Sequence, residues 1–287
     1  MTKYLVVGAS GCLGTALVEE LGCQNFEYVI AGRSNLQKNA YFHFLDLTDL
    51  DSVSTFPIED FDQIFYLAQS RKFKHYPEGI EDMYKVNFQA PRALALRANE
   101  IGIPFIYVST GSVYKSKLSA MNETDEFQPN GSLSLYQITK LASEFEFRQF
   151  TNVKVVRPFF IYGKNSDNSS LIPTIVNKVR EGRSIQLNGK MGILINPVHS
   201  ADAARALIHI TDKNDRVFNI AGIENINLFD LGGLISNLLG TKPKFEVVEG
   251  ADCAILGNTR LLLETGFVYR FTLESGLRDY IGSGVFP

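Results

Sequence analysis

The sequence predicts an α/β fold, a doubly wound parallel sheet with a smaller interleaved lobe toward the C-terminus. Short apolar runs alternate with segments of helical spacing through the first half of the chain. Strands joined in this way by right-handed helical crossovers wind into one parallel sheet with helices on both faces. A glycine-rich turn follows the first apolar run at once, as a ligand-binding β-α unit requires.

The elements follow in order. YLVV (4–7) predicts the first strand, and Leu13, Ala16, Leu17, Glu20 and Leu21 give a helix over 12–21. YVIA (28–31), YFHF (41–44) and QIFYLA (63–68) are further strands. A long helical pattern spans 81–100, FIYVS (105–109) is the next strand, a helix spans 135–150, and VKVVRP (153–158) is another strand. After Gly163 the rhythm changes to polar loop chemistry in NSDNSS (165–170), a helix at 171–181 and a turn-rich LNGKMG (187–192). A helix at 200–210 and a strand, VFNIAG (217–222), return the chain to the sheet. Residues 1–163 with 196–222 therefore read as the sheet domain, and 164–195 with 223–287 as the small lobe.

The chain has 287 residues, enough for a sizeable core, with 45% apolar and 21% charged residues. A net charge of −3 gives no reason to expect nucleic acid or an anionic membrane as partner. No run approaches the roughly 18 apolar residues of a membrane span. The start, MTKYLVVGAS, reads as a strand and turn and not as a signal peptide, so a cytoplasmic location is expected. Cys12, Cys23 and Cys253 fit no metal spacing and no disulfide framework, and no metal is expected.

Gly8, Gly11 and Gly14 stand as G-x-x-G-x-x-G between the first strand and the first helix. Glycine permits the tight turn and the close approach of a pyrophosphate, and the helix N-terminus offers it unpaired N–H groups. This predicts a dinucleotide (Rossmann) site whose turn contacts include Ser10, Cys12 and Leu13, the cysteine serving as a small filler. The second strand ends AGRS, where an NAD site would carry an acid for the ribose. Arg33 and Ser34 stand there instead. A guanidinium and a hydroxyl suit a 2′-phosphate, so NADP(H) is favoured over NAD(H).

Tyr136 precedes Lys140 by four residues, one turn of the helix 135–150, so both side chains leave one face. Such a pair suits a phenolic acid/base with its pKa lowered by the neighbouring cation, or a solvated face with an incidental aromatic.

Taken together, GASGCLG (8–14), DLTD (46–49), YLA (66–68), VNFQAPRAL (86–94), YVSTGSVY (107–114), YQITK (136–140), RPFFIYG (157–163) and VHSADAARA (198–206) occur in an order that resembles the extended short-chain dehydrogenases. That group comprises NAD(P)-dependent epimerases, dehydratases and reductases, mostly of nucleotide sugars. The resemblance implies that Asp46 and the Leu47 backbone hold the adenine. It implies that Leu67 and Ala68 run along the cofactor, that Asn87 lies behind the site, and that Pro158 lies near the nicotinamide. It assigns Tyr136 as the acid/base, Thr110 as the hydroxyl that orients the reacting oxygen, and Lys140 as the residue that holds the nicotinamide ribose. Relatives often dimerise through helices matching 81–100 and 135–150, so a homodimer is expected there. On that reading the Phe-rich EFEFRQF (144–150) is core or interface, and His199 is a packing residue.

Three departures concern the substrate. Phe160, Ser170 and Ile195 stand where nucleotide-sugar members usually place two asparagines and a basic residue for the diphosphate, and the apolar Phe160 and Ile195 cannot donate hydrogen bonds to it. Either the diphosphate is held otherwise or the substrate lacks one. The loop QSRKFKHYP (69–77) offers Arg71, Lys72, Lys74 and His75 to a substrate anion, or is simply a solvated basic loop. Arg71, Lys74 and Phe160 are thus the candidate substrate contacts. Gly111 and Ser112 replace the acid pair of the dehydratases and disfavour that activity. The sequence favours a reductase on a ketone or secondary alcohol of a sugar-like small molecule. An epimerase with retained NAD and a catalytically silent dinucleotide sensor are the alternatives.

Overall fold

The computed structural model describes residues 2–35, 41–73, 75, 77–251 and 253–284. The chain runs through β1 (Lys3–Val7), α1 (Cys12–Cys23), β2 (Glu27–Gly32), β3 (Phe42–Phe44), α2 (Leu50–Thr55), β4 (Gln63–Tyr66), α3 (Ile80–Tyr84), α4 (Ala90–Ile101), β5 (Phe105–Val108), α5 (Leu135–Phe147) and β6 (Val153–Pro158). It continues through β7 (Ile161–Tyr162), α6 (Leu171–Arg180), β8 (Ser184–Asn188), β9 (Leu194–Ile195), β10 (Val198–His199), α7 (Ser200–His209) and β11 (Val217–Ile220). The remainder is β12 (Ile226–Asn227), α8 (Leu228–Leu239), β13 (Lys244–Val248), β14 (Ala254–Ile255), α9 (Arg260–Glu264) and α10 (Leu273–Gly282).

Seven strands form the parallel sheet, in the order β11-β6-β5-β4-β1-β2-β3. The order reverses direction between β1 and β4, and ligands of doubly wound sheets bind at the carboxyl ends of the strands beside such a reversal. β4 and β5 are buried at every position, as expected for strands covered on both faces. On one face Leu5, Ile64, Tyr66 and Tyr107 pack with Leu94 and Ala98 of α4 and with Phe147 of α5. On the other, Val6, Phe65 and Ile106 pack with Leu17 of α1 and Leu207 of α7. A third apolar cluster joins Ile175 and Val176 of α6, Ile185 and Leu187 of β8, Leu231 and Ile235 of α8 and Leu277 of α10. Part of the tail crosses back, since Leu262 and Phe267 join the cluster of α1 and α7.

The helical pattern of 81–100 is interrupted. Lys85–Gln89 is a π-helical turn between α3 and α4. Pro91 has no N–H to give the Asn87 carbonyl one turn back. Hydroxyls from neighbouring elements supply the missing donors: Tyr107 at 2.9 Å and Ser143 at 2.8 Å both donate to the Asn87 carbonyl. Tyr66 donates to the Val86 carbonyl at 2.5 Å. A π turn marks many functional sites, and this one stands directly behind α5.

A buried ion pair fixes α5 to β6. Arg157 and Glu144 meet with side chains only 4% exposed, and Tyr114 and Phe127 flank the guanidinium. Breaking such a pair by removing one partner costs about 3–5 kcal/mol, so the register of α5 on the sheet is strongly set.

Candidate active site

The glycine turn is built for close approach. Gly8 has φ +94°, and a Cβ there would lie 2.5 Å from the Ala68 nitrogen. A Cβ on Gly14 would lie 2.4 Å from the Gly8 carbonyl oxygen, whereas one on Gly11 would meet nothing within 4 Å. Two glycines thus bring the turn against β4 and α1, and the third faces open space. Gly11 caps α1 without a side-chain hydrogen bond, leaving the first-turn N–H groups to a ligand.

That space is a cleft of about 620 Å³ along the carboxyl ends of the strands. Gly8, Ser10, Gly11, Cys12, Leu13 and Gly14 line its floor, with Leu67, Ala68 and Pro158. Arg33, Ser34, Asp46 and Leu47 line one end, and Thr110 and Tyr136 the other. Apart from Lys140, every residue expected at the cofactor borders this one cleft. At the Arg33 end the Asp46 carboxylate accepts from the Thr48 N–H at 2.9 Å and from its hydroxyl at 2.8 Å. Burial raises the Asp46 carboxyl, but the Thr48 hydrogen bonds and the charges of Arg33 and Lys85 outweigh it and hold the group below the usual carboxylate range.

Ser134 caps α5 with a capping box, its hydroxyl reached by the Gln137 N–H, and this fixes where the first turn starts. Tyr136, half-buried on that turn, donates to Gln69 Oε1 at 3.1 Å, and the Thr110 hydroxyl is a second hydrogen-bonding group acting on it. Lys140 lies beneath, only 1% exposed, and donates to the Val108 carbonyl at 2.9 Å and the Ala68 carbonyl at 3.4 Å.

In the ligand-free structure Lys140 is not among the groups that shift the phenol. Burial pushes the Tyr136 phenol up to about 12, against a smaller downward pull from Thr110. Burial also drives the Lys140 ammonium down to about 7, with the Glu144 carboxylate one turn along opposing it. Near neutral pH the ligand-free site holds a protonated phenol above an amine that readily loses its charge.

The candidate substrate contacts fare differently. Arg71 lines the cleft but donates to Ser10 of the glycine turn at 3.0 Å, so it faces the pyrophosphate end. Lys74 lies outside the described residues. Phe160 does not line the cleft: it has φ +45° and packs between the small-lobe cluster and the Phe159 cluster. Ile195 is fully buried in the small-lobe cluster, while Ser170 borders the cleft. His199 stacks on Phe271 at 4.1 Å and accepts from the Ala201 N–H at 3.3 Å. Asn87 donates to Thr139 at 3.1 Å and accepts from the Ser70 N–H at 2.9 Å, tying the loop after β4 to α5.

Sequence reasoning did not single out Gln69 or Phe73, both of which touch Tyr136. It also missed the strap formed by 164–166. Lys164 pairs with Glu19 at 2.9 Å, Asn165 donates to Thr15 at 3.2 Å, and Ser166 donates to Cys12 at 3.2 Å. Gln69 directly follows the YLA segment, the one local signal that could have found it. Among the described residues no group of three or more His, Cys, Asp or Glu is placed to hold a metal ion. Within the same limit, no helix is long and apolar enough to cross a membrane.

Known proteins share the sequence motifs and the fold that form this cleft. The family model described as the NAD dependent epimerase/dehydratase family matches residues 4–221. The probable low-salt glycan biosynthesis reductase Agl14 of Haloferax volcanii is 25% identical over 248 residues, covering 82% of this chain and 79% of that protein. A dTDP-4-dehydro-6-deoxy-D-allose reductase of a Streptomyces species is 25% identical over 155 residues, 50% of this chain and 48% of that one. In fold, the Thermus thermophilus UDP-glucose 4-epimerase in complex with NAD superposes with a TM-score of 0.80 at 18% identity, covering 99% of this chain and 100% of that one. With the motifs in register and the cleft where they place it, the chain belongs to the NAD dependent epimerase/dehydratase family.

Proposed function

We propose that the protein is an NADPH-preferring reductase acting on a ketone of a sugar or sugar-like substrate. One observation carries this reading: a protonated phenol, Tyr136, stands in the cleft between Thr110 and Gln69. A phenol that keeps its proton at neutral pH is in the form that reduction of a carbonyl needs. Bound at the glycine turn, the dinucleotide supplies the hydride. Tyr136 then gives its proton to the substrate oxygen, and Thr110 orients that oxygen. Lys140 carries a proton beneath the phenol, poised near neutrality by burial.

Gly8, Gly11 and Gly14 would hold the pyrophosphate, with Ser10 and Arg71 beside it. Asp46 and Leu47 would face the adenine. Arg33 and Ser34 would take the 2′-phosphate, which supports NADP(H). The buried Ile195 and the packed Phe160 leave no donor for a substrate diphosphate at those two positions. The names of the two reductase relatives fit the reductase reading. The fold relative bound to NAD keeps an epimerase with retained cofactor as the second reading. A homodimer through α4 and α5 is supported by the exposure of Ile101 on α4 and of Ile138 and Phe145 on α5.

Cofactor stoichiometry tests the proposal. The enzyme is given NADPH and a dTDP-4-dehydro-6-deoxyhexose, and separately UDP-glucose. The reductase reading expects one NADPH oxidised per alcohol formed. Product formation with no net change in NADPH would overturn it in favour of the epimerase.

A further inference from the structure

The loop after β4 places an unassigned carboxamide on the phenol. The Tyr136 hydroxyl donates to Gln69 Oε1 at 3.1 Å, and the Phe73 ring packs on the Tyr136 ring at 5.8 Å between centroids. Gln69 is exposed and borders the cleft. Its position is not incidental, because the following residues are anchored on both sides. The Ser70 N–H donates to Asn87 at 2.9 Å, the Ser70 hydroxyl donates to Asp82, and Arg71 reaches Ser10 at 3.0 Å. Among the described residues, the Gln69 side chain makes no hydrogen bond other than the one to Tyr136.

A reacting oxygen must come within about 2.6–3.2 Å of the phenol to take its proton. The Gln69 amide already occupies part of that shell. A substrate whose oxygen reaches the phenol would therefore lie beside the carboxamide. A carboxamide offers two N–H donors and an acceptor oxygen, which matches a hydroxyl and gives nothing to a methylene. We propose that Gln69 is a specificity-determining substrate contact that reads a hydroxyl on the carbon adjacent to the carbonyl, selecting α-hydroxy ketones. The proposal rests on Tyr136 being the proton donor.

The test compares wild type, Gln69→Ala and Tyr136→Phe on two probes. One is a dTDP-4-dehydro-6-deoxyhexose carrying its 3-hydroxyl, and the other is the 3-deoxy counterpart. One hydrogen bond is worth about tenfold. Wild type is expected to lose about tenfold in kcat/KM on the 3-deoxy probe. Gln69→Ala is expected to lose about tenfold on the parent, mainly through KM, and to treat both probes alike. Its NADPH Kd and its thermal midpoint should match wild type. Undiminished discrimination by Gln69→Ala, or a defect that follows the NADPH Kd, would overturn the assignment while the Tyr136-dependent rate stands. Equal background rates in wild type and Tyr136→Phe would instead overturn the reading of Tyr136, and this proposal with it.

Discussion

Replacing Lys140 with methionine is expected to stabilise the ligand-free protein at low pH and to destabilise it at high pH. The side chain is buried, and its pKa is driven from 10.5 down to about 7. A tenfold change in a proton's affinity is about 1.36 kcal/mol, so holding the charged amine in the fold costs on the order of 4–5 kcal/mol. Between those two values the unfolded chain binds a proton that the folded chain does not, so stability rises with pH through this window. The penalty is complete below the folded value and gone above the unfolded one. Methionine removes the penalty but leaves the Val108 and Ala68 carbonyls without their donor, at a cost of roughly 1–3 kcal/mol. The net expectation is a gain of about 2 kcal/mol near pH 6 and a loss of about 1–2 kcal/mol near pH 10. Urea unfolding of the ligand-free wild type and variant across that range measures the difference directly. A stability difference that does not change with pH would refute the claim that burial has poised this amine.

Two further outcomes follow from the same geometry. Arg33→Ala should weaken NADPH binding about tenfold and leave NADH binding nearly unchanged, as read by calorimetry of both dinucleotides; an unaltered preference would remove Arg33 from the 2′-phosphate site. Gly8→Ala should abolish binding of either dinucleotide and lower stability by about 1–3 kcal/mol, because the new methyl must displace the β4 backbone at Ala68 while the residue holds a positive φ; retained binding with a normal thermal midpoint would contradict the close-packed turn.

Much of the sheet was legible because its signals are local. Alternating apolar runs and the glycine spacing each act within a few residues. Of the candidate site, the glycine turn, Arg33 and the Tyr136–Lys140 spacing were read from local pattern, whereas Asp46 and Thr110 were named only through the family resemblance. What the sequence hid is set by distant neighbours. The helix at 81–100 has one unbroken pattern, yet Pro91 and the hydroxyls of Tyr66, Tyr107 and Ser143 favour a π turn there. Gln69 meets a phenol 67 positions away, and Asn165 meets Thr15 across 150 positions. The four-residue spacing of Tyr136 and Lys140 put them on one face but gave no sign of how far the lysine is desolvated. The phenol is raised by its own burial, and Lys140 is not among the groups acting on it. Phe160 shows the opposite failure, since its motif position suggested the cleft and tertiary packing holds it, half-buried, against two apolar clusters.

The central claim is that the Tyr136 hydroxyl is the proton donor of the cleft. Tyr136→Phe removes that one oxygen from a half-buried ring, so fold and dinucleotide affinity should be kept. NADPH oxidation on a dTDP-4-dehydro-6-deoxyhexose, with the NADPH Kd measured alongside, is expected to fall by about 10²–10⁴ in kcat with the Kd unchanged. Turnover within about twofold of wild type would contradict the account, because the general-acid contribution expected of that hydroxyl would then be missing.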